Sequence, residues 1–312
     1  MLIERLSIIN CWSGGGKGSG YQRIIEKRYE KLAVKPVIRF TAPEGPNTAF
    51  NLGKSAVREG FEEIHVAGGD GTFNLVFSGM MASNVPLGQL PTLSFMQAGT
   101  GNNFAKNLGV PKSPIQALQV AETGQPIKLD FGRLILKNEE RYFLNVASFG
   151  FDAWIAQVAQ RFRGKYQFLP KESHYLLAAL GEIIKGMRAF RISVNGGDPK
   201  ELLLVAVTNG PTYGAIFRIA PGADLRDGLL DVCCIDRVGQ MKALKDITRL
   251  LRGTHVNLPE VAMSQVSSLT ISSDELLPCE IDGEVLPAEK EYKIEIIPQG
   301  LKALVPPMPL GA

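Results

Sequence analysis

The sequence predicts an α/β plus β chain: an N-terminal α/β layered domain on a largely parallel sheet, then a C-terminal antiparallel β-sandwich-like domain. Three observations predict it. At roughly 150 residues per domain, the 312 residues point to two domains. The first third repeats strand, glycine turn and helix, the rhythm of an α/β layer. Beyond Gly124-Gln125-Pro126 the pattern becomes strand-rich, with apolar and polar residues alternating. The expected boundaries are 1–126 for the α/β domain, 127–296 for the β-rich domain and 297–312 for a C-terminal tail.

Taken in order, Leu6–Asn10 reads as a strand leading into the glycine loop Ser13–Gly20. Gln22–Leu32 places Ile24, Ile25, Tyr29 and Leu32 on one helical side. Pro36–Thr41 is a second strand, and Thr48–Glu59 a helix stopped by Gly60, which suits a left-handed C-terminal cap. Ile64–Ala67 runs into Gly68-Gly69-Asp70-Gly71-Thr72 and a helix expected from near Phe73, with Thr72 able to cap it. Thr92–Gln97 is the next strand and ends at Gly99-Thr100-Gly101. Ser113 and Pro114 open a last helix that fades by Gly124. In the second part, strands are expected at Phe190–Val194, Leu202–Thr208, Leu229–Ile235, Leu269–Ser272 and from Tyr292. Helices are expected at Glu172–Met187 and Met241–Leu251. Pro306-Pro-Met-Pro cannot continue a ladder and reads as loose.

Composition narrows the function. A formal charge of +3, from 34 Lys+Arg against 31 Asp+Glu, lacks the basic excess of a general nucleic-acid binder. No apolar run approaches the roughly 18 residues of a spanning helix. The segment Met1-Leu-Ile-Glu-Arg-Leu carries charges where a secretory signal needs its apolar region. Cys11, Cys233, Cys234 and Cys279 form no CxxC pair and read as buried thiols of a reducing compartment. The expectation is a cytoplasmic protein without a transmembrane segment.

Chemistry concentrates in three glycine turns. Ser13-Gly-Gly-Gly-Lys-Gly-Ser-Gly can point backbone N–H groups at an anion, although it matches neither the P-loop nor the dinucleotide fingerprint. Gly68–Thr72 lets the backbone approach phosphate oxygens closely. Asp70, a carboxylate in such a turn, reads as the partner of a divalent cation or as the acceptor of a turn hydrogen bond. The third turn, Gly99-Thr100-Gly101-Asn102-Asn103-Phe104, ends the next strand, and in open α/β sheets such turns gather where ligands bind. Asp130-Phe131-Gly132 spells a protein-kinase magnesium motif without the catalytic-loop triplet that should precede it, and reads as a strand end and turn.

With these turns in order, the chain resembles the diacylglycerol kinase catalytic family, which includes bacterial lipid kinases and sphingosine kinases. The resemblance extends over roughly 280 residues. It runs through Asn10–Gly15, Phe143–Asp152, Asn209-Gly-Pro-Thr-Tyr-Gly-Ala, Ala220–Asp231 and Glu280-Ile-Asp-Gly-Glu284. It implies ATP held by Asn10, Ser13, Thr41, Gly68, Gly69, Asp70, Gly71, Thr72, Asn74, Gly99, Thr100 and Gly101. It also implies Mg²⁺ beside Asp70, Glu284 as the general base, and a structural magnesium site at Asp227 with the backbone oxygens of Asp224 and Leu229. Two positions depart from the family: Cys11 stands where proline is usual, and Asn103 where aspartate is more common, which removes a charge near the phosphates.

The implied acceptor is a lipid alcohol such as diacylglycerol, met at a membrane surface. The basic-aromatic segment from Trp154 to Lys171 is the candidate for transient docking, the alternative being a helix end with a solvated basic face. Nicotinamide dinucleotide kinases also carry a Gly-Gly-Asp-Gly turn, so a soluble acceptor stays open, as does a non-catalytic nucleotide- or lipid-binding regulator. Glu284 keeps its own alternative, a polar residue beside an Asp-Gly hairpin turn.

Overall fold

The computed structural model of the chain describes residues 5–31, 36–45, 47–165, 171–214 and 217–307, by backbone alone at 31, 160–165 and 171–176. It divides into two units, Met1–Asp130 with Pro298–Ala312, and Phe131–Ile297.

The first unit is built on β1 (Arg5–Ile9), β2 (Val37–Phe40), β3 (Glu63–Gly68) and β4 (Thr92–Gln97). These pair in parallel in the order β2-β1-β3-β4. β1, β3 and β4 are buried along nearly their whole length, as strands covered on both faces must be. The covering helices are α1 (Ser19–Lys31), α2 (Ala49–Arg58), α3 (Asp70–Met81), the short α4 (Asn103–Asn107) and α5 (Pro114–Thr123). Their ends follow the sequence signals. Thr48 Oγ1 accepts the Asn51 amide at 3.2 Å, and Gly60 follows the end of α2 at φ +83°. Pro114 opens α5 as its fixed φ allows.

α3 starts earlier than expected, at Asp70 rather than near Phe73. Gly69 is its extended cap residue, so Thr72 lies inside the first turn and is not the cap.

The second unit is antiparallel. Its strands are β5 (Gln125–Ile135, which crosses from the first unit), β6 (Glu140–Phe143), β7 (Val146–Gly150), β8 (Phe190–Val194), β9 (Lys200–Thr208), β10 (Leu230–Asp236), β11 (Val261–Val266), β12 (Ser268–Ile281) and β13 (Glu284–Val305). The ladder runs β11-β10-β9-β7-β12-β13, with β8 joining β9 and β12, and β6 pairing β5. A core of Phe143, Phe149, Val205, Val232, Ile271, Tyr292 and their neighbours fills it. α6 (Phe151–Lys165) and α7 (Lys171–Lys185) share a second cluster through Ile155, Val158, Ala178 and Ile183. α8 (Gln240–Arg252) follows β10.

Three expectations need correction here. The division between units falls at Asp130, inside β5, rather than after Pro126. Asp130-Phe131-Gly132 is therefore mid-strand and buried, not a strand end. Gly132 faces Phe143 across the ladder, with the ring where a Cβ would stand. The expected tail from 297 is mostly strand. Pro298 and Gln299, the latter at φ +52°, re-aim β13 instead of ending it. Asp130 Oδ1 accepts the Gln299 amide at 2.7 Å, and Ala303 pairs in parallel with Leu93 of β4. Only at Pro306 does the ladder stop.

Candidate active site

The three glycine turns meet at the ends of β1, β3 and β4. Asn10, next after β1, donates through Nδ2 to Thr72 Oγ1 at 2.9 Å, which ties the first turn to α3. Its Oδ1 accepts the Trp12 amide at 3.1 Å. Gly14 follows at φ +59° so close to β4 that a Cβ would lie 2.3 Å from the Ala98 oxygen. Gly69 and Gly99 are in backbone contact: a Cβ on Gly99 would stand 2.4 Å from the Gly69 Cα. Asn102, itself at φ +52°, closes the third turn by accepting the Gly99 amide at 2.9 Å and donating to the Gly99 oxygen at 2.7 Å. Phe73, Phe95 and Phe104 stack edge-to-face beneath, at 4.9 and 5.1 Å between centroids. The two phenylalanines that follow the second and third turns are thus fixed on one β4 ring.

Asp70 binds the second turn to the third. Its Oδ1 accepts the Phe104 amide at 2.9 Å and its Oδ2 the Asn103 amide at 3.0 Å. Burial pushes its carboxyl up from the ordinary aspartate range, against the pull of those two amides and the Lys106 ammonium. The carboxylate expected to face a cation therefore has a structural task as well. Beside it, Asn103 Oδ1 is buried without a partner. A second hard oxygen left over next to the only acid of the three turns fits a divalent ion. Asp70 and Asn103 are the residues that would hold Mg²⁺.

The remaining expected contacts vary in accessibility. Ser13 and Thr41 are half-buried, Thr100 is exposed, and Gly71 has open space around it. Asn74 is buried inside α3, where it accepts from Ser78 at 3.2 Å. Sequence reasoning passed over Lys106, exposed and acting on Asp70, and over Asn102. The signal for Lys106 was its place three residues after Asn103, one helical turn along.

In the second unit, Asp282-Gly283 is a two-residue hairpin turn with both residues at positive φ, joining β12 to β13. Asp282 gathers three main-chain amides, those of Leu144 (2.6 Å), Asn145 and Val146 (3.0 Å each). Glu284 follows it, exposed, with Arg141 at 3.9 Å. Asp227 Oδ1 accepts the Leu229 amide at 2.9 Å, and Asp224 Oδ1 the Arg226 amide at 3.1 Å. Both carboxylates are thereby used in local turns. Among the described residues no cluster of three His, Cys, Asp or Glu side chains forms a metal-binding group.

An apolar cavity of about 160 Å³ lies within this unit, walled by α6, α7, α8, β9 and β10. Ile155, Ile183, Leu203 and Leu250 line it, while Asp152, Tyr213 and His255 are among its few polar groups. Of the expected docking segment, Trp154 is half-buried and donates to Glu182 at 2.9 Å. Arg161, Phe162, Arg163, Lys165, Tyr166, Phe168 and Lys171 lie outside the residues whose side chains are described. No described helix is long and apolar enough to cross a membrane.

Comparison with known proteins gives the same division of labour. Residues 5–134 match the diacylglycerol kinase catalytic domain, and residues 145–305 the YegS C-terminal NAD kinase beta sandwich-like domain. The diacylglycerol kinase of Mycobacterium tuberculosis is 30% identical over 267 residues, 83% of this chain and 81% of that protein. The diacylglycerol kinase of Bacillus subtilis is 28% identical over 84% of each. A crystal structure of a diacylglycerol kinase from Bacillus anthracis superposes with a TM-score of 0.72 at 20% identity, covering 98% of this chain and 97% of that one, which speaks for the fold.

Proposed function

The chain belongs to the diacylglycerol kinase family of phosphotransferases, and from that premise we propose that it moves the γ-phosphoryl group of ATP, with Mg²⁺, to the hydroxyl of a lipid such as diacylglycerol. The observation that carries this reading is the meeting of the three glycine turns around Asp70. Backbone amides and short side chains converge there, where phosphoryl transfer needs positioning and charge neutralisation more than covalent work. Bound ATP supplies the group to be transferred. Asn10, Ser13, Thr41, Gly68, Gly69, Gly71, Thr72, Gly99, Thr100 and Gly101 are the residues proposed to orient it; buried Asn74 supports α3 from inside.

Glu284 is proposed as the base that takes the acceptor's proton. Its exposure leaves it free to reach a hydroxyl, and the Asp282 amide clamp fixes the backbone two residues before it. Asp227, with the backbone oxygens of Asp224 and Leu229, remains the proposed structural magnesium site. The apolar cavity favours a lipid over a soluble dinucleotide, because Ile, Leu, Val, Ala and Phe make up most of its wall, while Lys242, Asp246 and Glu260 join Asp152, Tyr213 and His255 as its polar groups. Docking on a membrane is supported by exposed Ile184 and Met241, which the Gln240 Nε2 to Ile184 carbonyl bond (3.0 Å) holds as neighbours, with Lys245 and Arg252 on the same helix as Met241.

The test is transfer of labelled phosphate from ATP, with and without Mg²⁺, to diacylglycerol in mixed micelles and to nicotinamide dinucleotide. Label in the lipid, dependent on Mg²⁺, is the expected result. Label in the dinucleotide overturns the lipid acceptor, and ATP binding without any transfer turns the reading to a regulator.

A further inference from the structure

The first glycine turn is fixed at three points. Asn10 binds Thr72 of α3 at 2.9 Å, and Gly14 lies against the Ala98 oxygen just beyond β4. Gly18 then returns so near the start of the turn that a Cβ would stand 1.9 Å from the Asn10 oxygen. Within this closed loop the Trp12 amide donates to Asn10 Oδ1 at 3.1 Å, and the Ser13 amide to the Asn10 oxygen at 3.2 Å. The backbone of Trp12 is therefore held, yet the residue is 74% exposed. Among the residues whose side chains are described, Trp12 and Phe40 are the only exposed aromatics. Phe40 ends β2 and pairs with Ile9 of β1, so both residues stand at the carboxyl edge of the parallel sheet, where the turns are.

A nucleoside triphosphate joins two chemistries. Its anionic tail suits backbone amides, with Lys17, whose stem lies beside Gly14, as a cation on the same loop. Its base is flat and apolar on both faces, and glycines and amides give it no surface to lie on. An indole does, because every base has a π-face and stacking asks nothing of the base's hydrogen-bonding edge. We infer that Trp12 is the stacking platform for the base of the nucleotide, a binding residue separate from those that hold the phosphates. This rests on the reading of the three turns as the nucleotide site. Trp12 lies two residues after Asn10 and one before Ser13, both proposed to orient the triphosphate, so a single loop serves tail and base. The anchoring of that loop works in the same direction, since a ring on a tethered backbone loses less freedom when a ligand settles on it. Trp12 adds affinity for a base as such and leaves the choice among bases to other groups.

Tryptophan emission and calorimetry of the full chain, with Mg²⁺ and either ATP or inorganic tripolyphosphate, test the platform. The chain has two tryptophans, so Trp12→Phe leaves the emission of Trp154 alone. Wild-type emission should fall as ATP saturates and stay level with tripolyphosphate, while Trp12→Phe emission stays level with both. Trp12→Ala should raise the Kd for ATP by about ten-fold and shift that for tripolyphosphate by less than about two-fold, with Trp12→Phe, which keeps a ring, in between for ATP. Equal losses for the two ligands would mean that the substitution disturbs the loop, and would overturn the platform. So would an ATP response of the same size in Trp12→Phe. Emission that answers to anionic vesicles but not to bound ATP would put the ring at a lipid surface and overturn it as well. Calorimetry separates this inference from the reading beneath it. ATP bound with unaltered emission sinks the platform alone, whereas no ATP binding to the wild type sinks the nucleotide site and the platform together.

Discussion

At position 103 an amide stands where a second carboxylate would confront Asp70. Asn103 gives Asp70 its backbone N–H at 3.0 Å and turns its own Nδ2 toward the same oxygen at 3.4 Å, so the neutral side chain relieves a like-charge contact. Asn103→Asp should therefore melt lower than wild type in EDTA and gain more from added Mg²⁺, by several degrees in a thermal shift titration; equal shifts in the two proteins would remove the cation from this corner. The glycines differ in the same checkable way. Gly99→Ala forces backbone apart at the Gly69 contact, and nucleotide affinity should drop by about ten-fold or more while helix content stays. Gly71→Ala meets open space inside a helix and should stabilise by about 0.5–1 kcal/mol in urea unfolding. The glycine turns were legible because only a few residue types permit such approaches. The Asn10 to Thr72 bond was not, since it joins residues 62 apart and no local pattern marks it.

Elements with one strong period read well. α2 was placed with its Gly60 stop, α8 from its apolar spacing, and β8 and β10 from their strand patterns. α6 was missed although Phe151, Ile155, Val158 and Ala159 line one face, because its basic and aromatic end resembles a membrane segment as much as a helix. β5 escaped notice because Pro126 and Gly132 lie within it, and neither marks a strand interior from sequence alone. The β12–β13 hairpin was visible as an Asp-Gly turn, but the three amides on Asp282 come from a segment about 137 residues earlier in the chain. Asp282→Ala orphans them, and at about 1 kcal/mol or more for each unmade bond the loss should reach about 3 kcal/mol in urea unfolding. Asp282→Asn, which keeps the turn preference but not the charge, should lie between. On the α7–α8 rim, Ile184→Glu with Met241→Glu should cut cosedimentation with anionic vesicles while leaving phosphorylation of a water-soluble short-chain acceptor within about two-fold, because neither residue is placed in the transfer machinery. Unchanged cosedimentation would move the docking surface elsewhere.

On the scale of the whole chain, the first unit is completed by residues that come last. Leu301, Ala303, Leu304 and Val305 are buried, Ala303 pairs with Leu93, and Lys302 Nζ donates to the Gly88 carbonyl at 2.6 Å. No periodicity in the first 130 residues reveals that the sheet awaits a strand from the other end, and the prolines around that strand read as a tail. The consequence is energetic. Burying a Leu or Val is worth about 1.5–3 kcal/mol, so this strand carries a large share of the roughly 5–15 kcal/mol that holds a domain together. A chain ending at Ile297 should lose protection from hydrogen exchange and proteolysis throughout β1–β4 while β7, β9 and β12 keep theirs. Leu301→Ala with Leu304→Ala in the full chain should weaken the first unit in the same direction, each side chain costing about 2–5 kcal/mol. Should β1–β4 stay protected in the shortened chain, the first unit would be self-sufficient and β13 an accessory. Should protection vanish, the glycine turns owe their positions to a strand sequence-distant by some 200 residues from β4. Folding of the first unit would then have to wait until β13 is available, because β4 has no other partner on that edge among the described strands.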